Sequence, residues 1–439
     1  MRRFQLIFIL FAITGLAQAQ TNAPQTNLPA DLKALITQAT ANFPRLKEQE
    51  QQVRAGEVRV DLARTAYQPN VTGNGSYQYV TPVAKATLPV NGRETTIQFQ
   101  PNHNLNANIG IGQTIYDFGR TEASIRRATD DVQILKRNLE LSQQNLAYQV
   151  AATYYGIGFL QKSITVQDSV ISVSQQNIQV FANRLQNGEA LEYDLISQQV
   201  RLKAAQNRKI DLQNNLERQR ALLTYLTGNL NPAISPAATQ FSEQVSTLSL
   251  EATRPAEETG NKEVQLAQDR VRAAQTDVLI SGRSNKPSIG FNGSAGFRNG
   301  YLPAINTPRF NIAAGVALTV PIYDGRRHKL QNQAAQINLD ASRYAVANAS
   351  AQLRQNLDQL AADIRSNQQR LANLETQTLQ ARKALDIART RLKNGVITNV
   401  ELQSAETGVE EAELARLNYQ YQLLLNQLEL KRLLGENLN

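Results

Sequence analysis

Residues 181–195 read Phe-Ala-Asn-Arg-Leu-Gln-Asn-Gly-Glu-Ala-Leu-Glu-Tyr-Asp-Leu, and residues 388–402 read Ala-Arg-Thr-Arg-Leu-Lys-Asn-Gly-Val-Ile-Thr-Asn-Val-Glu-Leu. Arg184, Leu185, Gly188, Asp194 and Leu195 in the first stretch face Arg391, Leu392, Gly395, Glu401 and Leu402 in the second at a constant offset of 207. The same offset carries Ile115-Tyr116-Asp117 onto Ile322-Tyr323-Asp324 and Leu226-Thr227-Gly228 onto Leu433-Leu434-Gly435. Further upstream, Val53-Arg54-Ala55 and Pro69 match Val271-Arg272-Ala273 and Pro287 at an offset of 218, so the first copy holds 11 extra residues between Pro69 and Tyr116. Chance supplies single tetrapeptides, whereas a constant offset with one local length change marks a duplicated unit.

On the N-terminal side of each quoted stretch the apolar residues fall seven apart. Val150, Ile157, Ile164, Ile171, Ile178 and Leu185 form one row beside Leu146, Thr153, Leu160, Gln167, Ser174 and Phe181, and the second copy repeats it from Leu353 and Leu357 to Leu392. A strict 3.5-residue period over six heptads predicts helices packed side by side with a left-handed supercoil. No proline interrupts 117–231 or 323–439, and one helix over 121–187 would be roughly 100 Å long. Asn187-Gly188 and Asn394-Gly395 stop the helices, since glycine takes the left-handed conformation of a C-cap. Arg184 and Arg391 lie in the last turn, where a cation suits the helix dipole. The helices restart near Asp194 and Glu401, acidic residues suited to an N-terminus, and return antiparallel to Gly228 and Gly435.

Ahead of each helical hairpin the period drops to two. Val71, Tyr77 and Tyr79, then Leu105, Ala107, Ile109 and Ile111, alternate with Asn, Ser, Thr, Gln and Gly; Ile289, Phe291 and Phe297, then Phe310, Ile312, Ala314, Val316 and Leu318, do the same in the second copy. These are strands of about 10 residues, the length that crosses a bilayer when tilted. The division expected is therefore a first repeat over 20–228, with a strand hairpin at about 70–115 and a helical hairpin at about 117–228. A linker or equatorial element follows over 229–260. The second repeat covers 261–439, with a strand hairpin at about 288–322 and a helical hairpin at about 324–435. Shorter helices precede the strands at about 28–67 and 261–281, and the residues near 81–103 are read as the connecting loop.

Met1-Arg2-Arg3, the apolar run Phe4 to Leu16 and Ala17-Gln18-Ala19 form a cleavable signal peptide, residues 1–19, and imply secretion. The chain of 439 residues has no Cys, no Trp and one Met, so disulfides, thiolate metal sites and cysteine nucleophiles are excluded. Its net charge of +9 is scattered among Gln, Asn and acidic residues, which argues against nucleic-acid binding. Four strands leave two open edges, and unpaired backbone groups in lipid cost several kcal/mol each. The chain must therefore oligomerise to close a barrel, with 8 strands in a dimer or 12 and room for a water-filled pore in a trimer.

With these features in order and in duplicate, the sequence resembles the TolC-like outer-membrane efflux protein family over essentially the whole mature chain. The resemblance is carried by the repeat, by the strand-to-helix signatures Tyr116-Asp117-Phe118-Gly119-Arg120 and Pro321-Ile322-Tyr323-Asp324-Gly325-Arg326-Arg327, and by the Arg-x-x-x-Gly turns at Gly188 and Gly395. The second signature departs from the usual Asp-Gly-Gly-Arg form. The resemblance implies an α+β membrane protein, mostly α: four transmembrane strands per chain in a 12-stranded trimeric barrel, continued by a long α-helical coiled-coil barrel in the periplasm. It implies an exit duct in the bacterial outer membrane with no catalytic site and no cofactor. The expected partners are two further copies of the chain, a periplasmic membrane-fusion adaptor, an inner-membrane RND or ABC-type transporter such as a type I secretion ATPase, and outer-membrane lipid, but no nucleic acid. Mapped by motif, the adaptor-docking tip is Arg184, Leu185, Gly188 and Leu195 with Arg391, Leu392, Gly395 and Leu402, and the periplasmic gate is Asp194 and Glu401.

Other readings of the same residues are weaker. Asp117 and Asp324 fit helix caps better than an acid–base pair. His103 and His328 sit in unlike contexts and make no metal pair. Tyr77, Tyr79, Phe297 and Phe310 suit an aromatic girdle. A periplasmic coiled-coil scaffold is the main rival, and strand hairpins of bilayer length argue against it.

Overall fold

The period of 3.5 becomes long helices and the period of two becomes one sheet in the computed structural model, which describes residues 28–90, 93–229, 238 and 260–436. Residues 1–19, read as a signal peptide, and most of the expected linker at 229–260 lie outside the described residues. The chain runs α1 (Ala30–Asn42), α2 (Pro44–Arg64), β1 (Asn70–Tyr79), β2 (Lys85–Val90), β3 (Arg93–Gln98), β4 (His103–Tyr116), α3 (Arg120–Gln186) and α4 (Glu192–Thr227). It continues as α5 (Lys262–Arg283), β5 (Ser288–Arg298), β6 (Arg309–Thr319), α6 (Arg327–Lys393) and α7 (Asn399–Leu434). The duplication is metrical: α3 and α6 are 67 residues each, and α4 and α7 are 36 each. No helix among the described residues is long and apolar enough to cross a membrane.

Two local expectations change. The helix expected over 28–67 is two helices, because Pro44 opens α2 and holds Phe43 extended at φ −63°, ψ 119°. The segment read as a loop near 81–103 contains the antiparallel β2–β3 hairpin, paired from Lys85 with Gln98 to Val90 with Arg93. It supplies most of the extra length of the first copy.

The main sheet has the order β1-β4-β5-β6, antiparallel throughout, so each hairpin is joined to the other by β4 and β5. Its register sorts the side chains by face. Tyr77 pairs with Leu105, Ala107 with Phe297 and Phe297 with Phe310, while Val71 pairs with Ile111 and Phe291 with Val316. These residues, with Ile109, Ile312 and Leu318, make one apolar face that stands exposed, Ile312 at 70% and Val316 at 69%. The opposite face pairs Asn74 with Asn108, Ser76 with Asn106 and Ser288 with Thr319. A soluble sheet buries its apolar side; this one presents it outward and turns its polar side away.

The helices bury their heptad rows in three clusters. One gathers Leu32, Ile36, Leu46, Val150, Tyr154, Ile157, Leu223 and Leu226. A second holds Val264, Leu353, Leu357, Leu360, Ile364 and Leu430. The third, at the helical tips, holds Phe181, Leu385, Leu392 and Leu402. Packing also follows the repeat in an incomplete way. Within the chain β4 pairs with β5, α3 packs on α5 and α3 packs on α7. The repeat equivalents of these contacts are β6 with β1, α6 with α2 and α6 with α4, and among the described residues none of them is an extensive contact within the chain. The faces left over are the ones such contacts would cover: Val58 and Leu62 on α2, Val200 and Ile210 on α4, Ile337 and Tyr344 on α6.

Candidate functional site: helical tips and strand-to-helix junctions

At each tip the sequence signals become hydrogen bonds. Gly188 sits at φ +75° and Gly395 at φ +71°, where an L side chain is strained. The Gly188 N–H donates to Leu185 O at 3.0 Å and the Glu189 N–H to Arg184 O at 2.8 Å; Gly395 donates to Leu392 O at 3.0 Å and Val396 to Arg391 O at 3.0 Å. This is the Schellman pattern that satisfies the last carbonyls of a helix.

The return helices start two residues earlier than expected, so Asp194 and Glu401 occupy the third helical position. The Asp194 carboxylate accepts the Leu191 N–H at 3.1 Å. Glu401 accepts the Thr398 N–H at 2.7 Å and the Thr398 hydroxyl at 3.1 Å, and the Glu401 N–H donates back to that hydroxyl at 3.4 Å, a capping box. The Thr398 backbone N–H holds the Glu401 carboxyl below the usual range, helped by the Thr398 hydroxyl and Arg391.

The eight tip residues differ in role. Leu392 and Leu402 are buried in the tip core, Leu185 and Leu195 are half-buried, and Gly188, Arg391 and Gly395 are exposed. Arg184 is half-buried because its Nη2 donates to Leu392 O at 2.9 Å, tying the first hairpin to the second. The exposed rim contains Leu191, Tyr193, Val396 and Val400. The heptad rows missed these four, which are out of register with the seam; their signal is apolar character where the seam expects polar residues.

A buried charge cluster above the tip also escaped the sequence reading. Arg201 on α4 lies 3.7 Å from Glu406 and 3.8 Å from Glu410 on α7, and donates to Gln403 O at 3.1 Å and the Thr407 hydroxyl at 2.9 Å. Arg208 donates to Glu410 at 2.8 Å, Asn177 to Glu406 at 2.8 Å, and Arg382 and Arg416 both pair with Glu413. Glu406, Glu410 and Glu413 share one helix face by their spacing, as do Arg201 and Arg208, and that is the sequence signal. A cavity of about 320 Å³ opens beside them.

The junctions repeat the pattern at the other end of the helices. Asp117 is buried and accepts the Gly119 N–H at 3.1 Å, the Thr121 N–H at 2.7 Å and the Thr121 hydroxyl at 2.5 Å. Burial pushes its carboxyl up, but the Thr121 and Gly119 donors outweigh that and hold it below the usual range. Asp324 accepts the His328 N–H and the His328 ring nitrogen, each at 3.0 Å, and the His328 ring bond holds its carboxyl low. Two consecutive residues at each junction take positive φ: Phe118 (54°) and Gly119 (81°), Gly325 (68°) and Arg326 (69°). Each copy thus spends its glycine on a different one of the two positions, and Arg326 stands where the first copy has Gly119. Arg283 Nη1 at the end of α5 donates to Gly119 O at 2.7 Å and covers the first junction. Tyr116 lies edge-on to Phe118 with ring centroids 4.7 Å apart, Arg120 opens α3, and Tyr323 is 83% exposed. His103 bonds Tyr77 at the far end of the sheet from His328.

A sheet with an outward apolar face, continued by helical hairpins of this length, is the architecture of TolC-like channels. The family profile described as Outer membrane efflux protein matches residues 35–229 and 256–436, so the chain belongs to the outer membrane efflux protein family. It is similar to the Outer membrane efflux protein BepC of Brucella suis biovar 1 (strain 1330), 22% identical over 422 residues that cover 93% of this chain and 89% of that one. Its fold is that of the outer membrane protein VceC of Vibrio cholerae, with a TM-score of 0.74, 17% identity and coverage of 93% and 97% of the two chains. The open state of the Neisseria gonorrhoeae MtrE outer membrane channel superposes with a TM-score of 0.77 at 19% identity, covering 93% and 90%. The family consists of outer-membrane efflux channels that extend into the periplasm; they are passive conduits rather than enzymes.

Proposed function

We propose that three copies of this chain form the exit duct of a tripartite efflux pump or type I secretion system. One observation carries the reading: a four-stranded sheet with an exposed apolar face, a polar face and two open edges. Such a sheet is unsuited both to water and, alone, to lipid. Three copies supply twelve strands and a lumen wide enough for water. The repeat specifies the joint. Since Gly112 on β4 pairs with Asn292 on β5, the offsets put Thr319 on β6 opposite Asn74 on β1 of the next chain, and likewise Val316 opposite Tyr77.

In this reading residues 1–19 direct secretion and are removed, lipid meets the apolar face, and Tyr77, Tyr79, Phe297 and Phe310 form an interfacial girdle. The tips face the inner membrane. Gly188, Arg391 and Gly395, with Leu191, Tyr193, Val396 and Val400, meet the periplasmic membrane-fusion adaptor, while Arg184, Leu185, Leu195, Leu392 and Leu402 hold that rim in shape. An RND or ABC-type inner-membrane transporter supplies the energy. Asp194 and Glu401 line the gate where the hairpins converge, and the Arg201 cluster holds α4 against α7 when it is closed. The mature chain purified from outer membrane in detergent should have the mass of a trimer and conduct in a planar bilayer. A water-soluble monomer that never conducts would instead identify a periplasmic coiled-coil scaffold.

A further inference from the structure

The polar face of the sheet carries charge at one place. Along β1, β4, β5 and β6 it is built from Asn, Ser, Thr, Gln, Gly and Ala until the strands reach the end remote from the helices, where Arg298 stands directly opposite Arg309. None of the four strands contains Asp or Glu. Both arginines are exposed, and neither side chain has a hydrogen-bond or ion-pair partner among the described residues. Like charges directly opposite each other weaken a strand pair, so sheet architecture gives no reason for them.

The neighbouring loop adds to the same face. The Tyr301 hydroxyl accepts a hydrogen bond from Asn311 Nδ2 at 2.6 Å, and Asn311 follows Arg309 by two residues on that face. The turn that brings Tyr301 there is built: Gly300 takes φ +101° and its N–H donates to Ile305 O at 2.7 Å. Just before it, buried Asn299 accepts the Leu105 N–H at 2.8 Å and donates to His103 O at 2.6 Å. The arginines therefore project from fixed strand ends, with a pinned loop beside them.

We infer that Arg298 and Arg309, flanked by Tyr301, form an anion-selecting constriction at the outer mouth of the duct, favouring carboxylates, sulfonates and phosphates over cations. The inference rests on the proposed trimer with its polar face inward, in which two arginines per chain become six around one opening. Rings of Arg or Lys select anions in water-filled pores, and low-dielectric walls focus their field across the lumen. With no carboxylate on the strands to cancel it, that field sets the preference of the barrel.

The test is the reversal potential of the full-length mature channel in a planar bilayer under a KCl gradient. In Arg298→Gln/Arg309→Gln the chloride-over-potassium permeability ratio should fall several-fold, while Arg298→Lys/Arg309→Lys keeps the wild-type value. Inorganic tripolyphosphate on the loop side should block the wild type and require a several-fold higher concentration in the double Gln variant. A double Gln variant that conducts with unchanged reversal potential overturns the inference. A wild type that never conducts overturns the duct reading instead. If the double variant does not insert, single Arg309→Gln must shift the potential in the same direction, and no shift overturns the inference.

Discussion

Gly119 carries a packing constraint that Gly325, the glycine of the second junction, does not. A Cβ there would meet Arg283 Nη1 at 2.6 Å, besides lying at φ +81°, whereas a Cβ at Gly325 meets nothing within 4 Å at φ +68°. Gly119→Ala should therefore cost the roughly 1–2 kcal/mol of a left-handed L residue plus the Arg283 bond, and Gly325→Ala only the first part. Thermal unfolding in detergent should rank Gly119→Ala below Gly325→Ala, and equal melting temperatures would contradict the packing described. Asp117 gives a pH signature. Its carboxyl is held below its ordinary value of 3.8, so its stabilisation is complete above that pH and is lost as pH falls through the native value. Asp117→Ala should lose about 1 kcal/mol at neutral pH, as for a lost helix cap, and its melting temperature should vary less with acidification than that of the wild type. These junctions were legible in sequence as a turn motif. The division of two left-handed positions between Phe118-Gly119 and Gly325-Arg326 was not, because a motif shows where glycine is present and not where its absence is tolerated.

Long helices make their faults visible as layers. Gln167 and Ser174 fall in the buried row of α3 at 1% and 0% exposure, and neither polar group of Gln167 nor the Ser174 hydroxyl has a hydrogen-bond partner among the described residues. Unpaired buried polar groups cost about 1–3 kcal/mol each, so Gln167→Leu should raise the melting temperature, and a fall would mean that the amide has a partner in the assembly. The Arg201 cluster behaves in the opposite sense. Removing one partner of a buried ion pair typically costs 3–5 kcal/mol, and Arg201→Ala takes the shared cation from Glu406 and Glu410, which lie one turn apart on α7, leaving only Asn177 on the first and Arg208 on the second. The variant should show larger single-channel conductance at neutral pH, and wild-type conductance would remove Arg201 from the closed state. The heptads, the tip glycines and the strand alternation were all readable because each is a local spacing. The β2–β3 hairpin was signalled too, by Asn91-Gly92, the pair favoured in two-residue turns, but Pro89 and the polar run beside it disguised the strands. In the charge cluster the spacing put the glutamates on one face and Arg201 with Arg208 on another, but their pairing could not be read, because Arg201 and Arg208 lie about 200 positions from Glu406 and Glu410 and meet them only through the relative rotation of two helices.

At the level of the assembly, the duplication does more than double the chain. It leaves three unpartnered faces, on the edge strands, on α2 and α6, and on α4 and α6, each equivalent to a contact already made inside the chain. A ring satisfies all three at once, with the second repeat of one chain serving the first repeat of the next. Sequence showed that the sheet must close but left the order of the oligomer to the resemblance, since two, three or more copies all remove the edges. The register across the joint follows from the offsets alone, and the absence of cysteine makes it directly measurable. Asn74→Cys and Thr319→Cys introduced together and oxidised in the outer membrane should link one chain to the next, giving a covalent trimer on a denaturing gel. Asn74→Cys paired with Ala313→Cys, six residues out of register, should not. Failure of the first pair to cross-link between chains, or linkage of the second pair instead, would contradict the closed twelve-stranded barrel.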